Sequence, residues 1–156
     1  MNGRSMHVGN YLGLVHGSEE RLVDVLRKVA RHHRDEPDVE QTCLLLAAWS
    51  EKHLKFLRPL VEKYGEEKNP EPDDLEVALF HGPRTGSLGL LRDLHDLWLM
   101  SNEVQLCWTV LEQAAQALRD DDLERVCKEC GKETKRQTAF FLTRIKQAAP
   151  QALVVA

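Results

Sequence analysis

The chain has 156 residues, a net charge of -4 and 29% charged side chains, which suits one globular domain, residues 1–156, with a sizeable core. Lys and Arg are neither in excess nor clustered, so the electrostatic footprint of a nucleic-acid binder is missing. The longest apolar runs, such as Leu44 to Trp49, fall far short of the ~20 residues that cross a bilayer, and Met1 to Gly17 shows no basic segment leading into an apolar stretch, so the expected location is cytoplasmic.

Apolar residues at helical spacing, Leu12, Val15, Leu22, Val23, Leu26, Val29 and Ala30, predict a first helix from about Tyr11 to His33. Ser18 offers an alternative start, as the N-cap of a shorter helix beginning at Glu19. Pro37 suits the first turn of a second helix, where its missing N–H is not needed, and Val39, Cys43, Leu46, Ser50, His53, Leu57, Leu60 and Tyr64 follow on one seam. Pro59 should kink or locally distort this helix. A long connection rich in proline and glycine runs from Gly65 to Gly86, with an amphipathic patch at Asp73 to Phe80. A third helix is expected from about Ser87 to Arg119, and Asp120 to Asp122 form a turn able to cap a fourth, which should stop at Pro150. The apolar tail, Gln151 to Ala156, should lie on the body.

A weak internal repeat relates the two halves. Shifted by 84 positions, Glu19 falls on Glu103, Leu22 on Leu106, Ala30 on Ala114, Asp38 on Asp122, Cys43 on Cys127 and Phe56 on Phe140. Two related helical hairpins joined by a long connection assemble as an all-α four-helix bundle with one crossover, which leaves the second and third helices parallel. With the hairpin turns placed at Glu36 and Asp120, Glu19 and His53 each lie 17 residues from the first, and Glu103 and Gln137 each lie 17 from the second. These four residues are therefore expected at one level. On the third helix Asp96, Met100, Glu103, Cys107, Val110 and Ala114 form one seam, so Glu103 should point inward beside Glu19 and His53. A charge left unpaired in such a core is costly, and each needs a cation, a hydrogen-bond network or a metal.

This constellation resembles the ferritin-like superfamily, whose di-metal members carry a Glu on helices one and three and a Glu-x-x-His on helices two and four. Glu19 and Glu103 match the lone glutamates. Ser50-Glu51-Lys52-His53 stands where the first Glu-x-x-His belongs, and Thr134-Lys135-Arg136-Gln137 where the second belongs. Ser50, Thr134 and Gln137 depart from the motif and leave three of six ligands, unless Glu133 joins them. The resemblance implies a degenerate carboxylate/His site. One reading is a non-catalytic accessory or interaction module, in which Glu19, Glu103 and His53 hydrogen-bond one another and Arg136 or Arg144 neutralises a carboxylate. The other is a non-haem iron or manganese protein with oxidoreductase or metal-handling activity, its ligands Glu19, His53, Glu103 and Glu133, with His16 in reserve.

Other polar residues read as structural. Equal heights predict an Asp96–Arg144 ion pair. Cys127 and Cys130, spaced as two zinc ligands would be, lack a second close pair, and all four cysteines are expected to be buried thiols. His32-His33 is placed to cap the first helix through its dipole. The first half of the third helix is apolar almost all the way round and needs cover on both sides. The long connection could supply that cover, or a second subunit could; in the second case Leu91, Leu94, Trp98 and Leu106 are expected to form a homodimer face.

Overall fold

The computed structural model describes residues 7–65 and 84–154, which form four α-helices and no strand. These are α1 (Val8–His32), α2 (Pro37–Tyr64), α3 (Gly86–Leu118) and α4 (Asp121–Leu153). Local sequence accounts for two of the starts. Pro37 occupies the first turn of α2, and Asp120 caps α4 by accepting the Leu123 amide on Oδ1 at 3.1 Å. Helix α1 runs unbroken through Gly13 and Gly17, so Ser18 is an interior, buried residue and not an N-cap. Burial of Leu12, Val15, Leu22 and Leu26 outweighs the propensity cost of two glycines. The prolines end nothing: α2 continues through Pro59 and α4 through Pro150. Past Pro150, Leu153 and Val154 are exposed, so the tail up to there does not lie on the body. The amphipathic patch Asp73 to Phe80 lies outside the described residues.

The helix directions follow from side-chain contacts. Lys63 and Tyr64, at the end of α2, bond Asp120 at the start of α4, whereas Arg144, late in α4, bonds Glu36 and Asp38 at the start of α2. Helices α2 and α4 are therefore antiparallel, and the hairpin α3–α4 then makes α2 and α3 parallel. Likewise His33, just past α1, reaches Asp93 near the start of α3. Helix α1 packs against α2 and α3, and α4 against α3 and α2, so the parallel pair sits on a diagonal of the bundle. At one end α1 crosses the last turn of α2 so closely that a Cβ on Gly9 would lie 2.9 Å from the Gly65 carbonyl oxygen.

The phase of α3 differs from expectation. Its buried seam is Leu90, Asp93, Leu97, Met100, Val104, Cys107, Leu111 and Ala115, which leaves Glu103, Val110 and Ala114 half-buried beside it. Leu94 is fully buried in the chain's own core, and Leu91 and Trp98 pack partly buried against it. The reason is α4. Leu94, Ser101 and Trp108 share one stripe, and Thr138 on α4 donates to the Ser101 hydroxyl at 3.0 Å across that helix pair. Of the four residues expected on a dimer face, only Leu106 is exposed.

The expected Asp96–Arg144 pair is not made. The two residues share a level but face different neighbours: Asp96 takes Arg84 at 3.0 Å, and Arg144 turns to α2.

Candidate polar site at the bundle centre

Glu19 on α1 and Ser50 and His53 on α2 are buried at the middle of the bundle, with Thr134 and Gln137 on α4. The helical period places Ser50, His53 and Leu57 on one inward face, just as it places Cys130, Thr134, Gln137 and Phe141 on the inward face of α4. Five polar side chains thus enter a core otherwise built of leucine, valine and tryptophan. Each must find a partner there.

Four of them find one another, with Gln137 Oε1 alone left without a partner in this set. Gln137 Nε2 donates to the Leu46 carbonyl and to Ser50 Oγ, both at 3.0 Å, and Ser50 donates in turn to Glu19 Oε1 at 3.0 Å. The other carboxylate oxygen of Glu19 is bonded to His53 Nδ1. The opposite ring nitrogen, Nε2, lies 3.0 Å from Glu133 Oε1, and Glu133 Oε2 accepts Lys52 Nζ at 2.8 Å. The result is one chain of hydrogen bonds from the dry centre to the surface. Lys52 stands at its solvent end, where Lys52, Phe56, Glu129, Lys132, Glu133 and Arg136 line a shallow cavity of about 300 Å³.

The electrostatics follow from this order. Burial disfavours the charged imidazole, but the hydrogen bonds and charges of Glu19 and Glu133 outweigh it, and the His53 pKa lies above its usual 6.5. Burial likewise pushes Glu133 up, while Lys52 and His53 together hold it below its usual range. An imidazolium donating from both nitrogens satisfies two carboxylates at once. Trp108 packs T-shaped against the His53 ring, with centroids 6.2 Å apart.

The expected members are thus brought together in part. Glu19, His53 and Glu133 meet, and Gln137 joins through Ser50. Glu103 is half-buried one position off the inward seam. His16 turns outward to Glu20 at 2.8 Å. The cation that balances Glu133 is Lys52, whereas Arg136 is exposed and Arg144 serves α2. Thr134 returns its hydroxyl to the Cys130 carbonyl at 2.7 Å.

A metal fits this arrangement poorly. The two ring nitrogens of His53 point in diverging directions and each already faces a carboxylate. One ion cannot hold the imidazole together with both Glu19 and Glu133. Among the described residues no three His, Cys, Asp or Glu side chains converge on a common point. The four cysteines are buried free thiols, and burial pushes Cys43 and Cys127 up to about 12.

No known protein family, characterised protein or solved structure is recognisably similar to this chain.

A second buried cluster escaped sequence reasoning. His33 is buried and bonds Asp93 Oδ2 at 2.8 Å, so it does more than cap α1. Asp93 also accepts the Arg84 amide at 3.0 Å and its guanidinium at 2.9 Å, and Arg84 bridges to Asp96. The signal was present in the spacing Leu90, Asp93, Leu97, which places an aspartate on an apolar seam.

Proposed function

We propose that the chain is a ferritin-like bundle whose di-metal centre is replaced by a protein-only ion-pair network, and that it works as a non-catalytic accessory or interaction module. The observation that carries this reading is His53, whose two nitrogens are both taken by carboxylates. In this reading Ser50 and Gln137 take the room of two ligands: Ser50 supplies a hydrogen bond that Glu19 needs, and Gln137 holds Ser50 through Nε2. Parallel α2 and α3 on a bundle diagonal agree with the crossover arrangement of that superfamily.

The interaction surface belongs to the outer side of α3, where Leu88 and Leu106 are exposed. Its occupant in this reading is a second copy of the chain. No described helix is long and apolar enough to cross a membrane.

The test is elemental analysis of protein purified without a His tag, paired with thermal melts in added iron or manganese. Substoichiometric metal and unchanged melting temperatures are expected. Stoichiometric metal, or a melting temperature that rises with either ion, would overturn the reading through the linkage between binding and folding. The alternative would then stand, with Glu19, His53, Glu133 and Glu103 rearranged as the ligands of a metal-handling protein.

A further inference from the structure

The four helices do not approach one another equally. In each hairpin a glycine lets one helix meet its partner closely: Gly9 of α1 lies against the backbone at Tyr64 and Gly65, and Gly131 of α4 faces Gln105 and Trp108 of α3. Helices α1 and α3 also pack on each other, and His33 and Asp93, which tie them together, are both buried. Helices α2 and α4 touch more sparsely than any of these pairs. The separation of two helix axes follows the side chains at their contact, and here long ones span the gap. Lys52 and Phe56 of α2, with Glu129, Glu133 and Arg136 of α4, surround the shallow cavity on this edge.

What joins α2 to α4 also differs in kind. Inside, Gln137 bonds the Leu46 carbonyl and Ser50. Toward solvent, three charged ties run along the edge. Lys63 meets Asp120 at 2.8 Å at one end, Lys52 meets Glu133 at 2.8 Å in the middle, and Arg144 meets Asp38 and Glu36 at 2.7 and 3.1 Å at the other end. Each tie has an exposed member, in Lys63, Lys52 and Asp38, so dissolved salt screens it. The His33–Asp93 tie on the opposite edge is buried on both sides and is screened far less.

We propose that the bundle parts along the α2–α4 edge, each hairpin moving as a unit about the α1–α3 contact, and that the three charged ties set how often it does so. Ionic strength thereby regulates access to the Glu19–His53 network. The open state is a minor one, because Leu46, Leu57 and Phe141 lose cover in it. Weakening the ties raises its population without unfolding either hairpin. Opening of this edge does not depend on how the central network is read, and Lys52 and Glu133 already stand where the network reaches solvent.

Two buried thiols report on the opening. Cys130 is fully buried on the inward face of α4 and feels the charges of Glu19 and Glu133, so it is uncovered when the edge parts. Cys127, also buried, feels Glu112 of α3 and stays covered while the α3–α4 hairpin is intact. The wild type is incubated for hours with a small neutral maleimide at mildly alkaline pH, at low salt and at ~1 M sodium chloride. Alkylated sites are followed by peptide mass spectrometry, and each rate is divided by that of the denatured protein in the same salt. Cys130 is expected to react faster than Cys127, and its rate should rise by about tenfold with salt while that of Cys127 does not. Lys63→Gln with Arg144→Gln removes the ties at both ends, and at low salt its Cys130 should react nearly as fast as that of the wild type at high salt. The proposal is overturned if Cys130 stays unlabelled or ignores salt, if Cys127 keeps pace with it, as in global unfolding, or if the double variant matches the wild type at low salt.

Discussion

At the scale of single residues, His53 decides how the centre behaves. Glu19 is fully buried and its compensation comes from His53, with Ser50 supplying a neutral hydrogen bond. Replacing His53 with Leu should therefore cost about 3–5 kcal/mol, because it strands a buried carboxylate. Combining it with Glu19→Met should recover most of that loss, since apolar residues often substitute well for a buried ion pair. Urea unfolding of the single and double variants checks this, and a double variant no more stable than His53→Leu would contradict it. The pH dependence has a definite sign. The folded pKa of His53 is raised above 6.5, so its contribution is complete below about 6.5 and is lost as pH rises through the folded value. Glu133 is lowered from 4.5, so its contribution is present above about 4.5 and is lost as pH falls through its folded value. Melting temperature should thus be highest between these limits and fall on the alkaline side, and His53→Gln should flatten the alkaline fall. The thiols give a further check at this scale. With Cys43 and Cys127 pushed up to about 12 and all four cysteines buried, a disulfide reagent at neutral pH should label none in the native protein and all four in denaturant.

At the scale of the helix, position outweighs residue type, and α1 provides the contrast within one element. A Cβ added at Gly17 would meet nothing within 4 Å, so Gly17→Ala should stabilise the helix by up to about 1 kcal/mol. Gly9→Ala gains the same propensity but drives its methyl against the Gly65 carbonyl, and it should be destabilising. Thermal melts of the two variants should move in opposite directions. The glycine spacing alone distinguishes neither site, because close approach is a property of the partner helix. Sequence periodicity located α2, α3 and α4 to within a few residues, and the counting of heights brought Glu19 to His53. It failed on α3 for a physical reason: a helix that is apolar nearly all round has no unique inward seam, so the seam through Glu103 looked as good as the one through Asp93 and Leu97. Height without azimuth also produced the mistaken Asp96–Arg144 pair. Lys52, which completes the site, is an unremarkable charged residue until α4 brings Glu133 beside it.

For the whole molecule, the remaining question is what covers the outer line of α3. Leu88 and Leu106 are 54% and 63% exposed, and their separation of 18 residues, five turns at 3.6 residues each, puts them on one line along the helix. The stripe Leu94, Ser101 and Trp108 is consumed inside the chain by α4, so an interface can use only this outer line. That makes it narrower than the four-residue face read from the sequence. Burying the two leucines removes apolar surface from water at about 25 cal/mol per Å², but exposed Arg92 and His95 lie between them on the line and association costs several kcal/mol, which sets a modest affinity. The wild type should accordingly scatter light as a dimer that dissociates on dilution through the micromolar range. Leu88→Glu with Leu106→Glu should be monomeric at every concentration while retaining the wild-type melting temperature at high dilution, because neither side chain belongs to the core. A wild type that stays monomeric across the range, or a double variant that still dimerises, would remove α3 as the assembly surface.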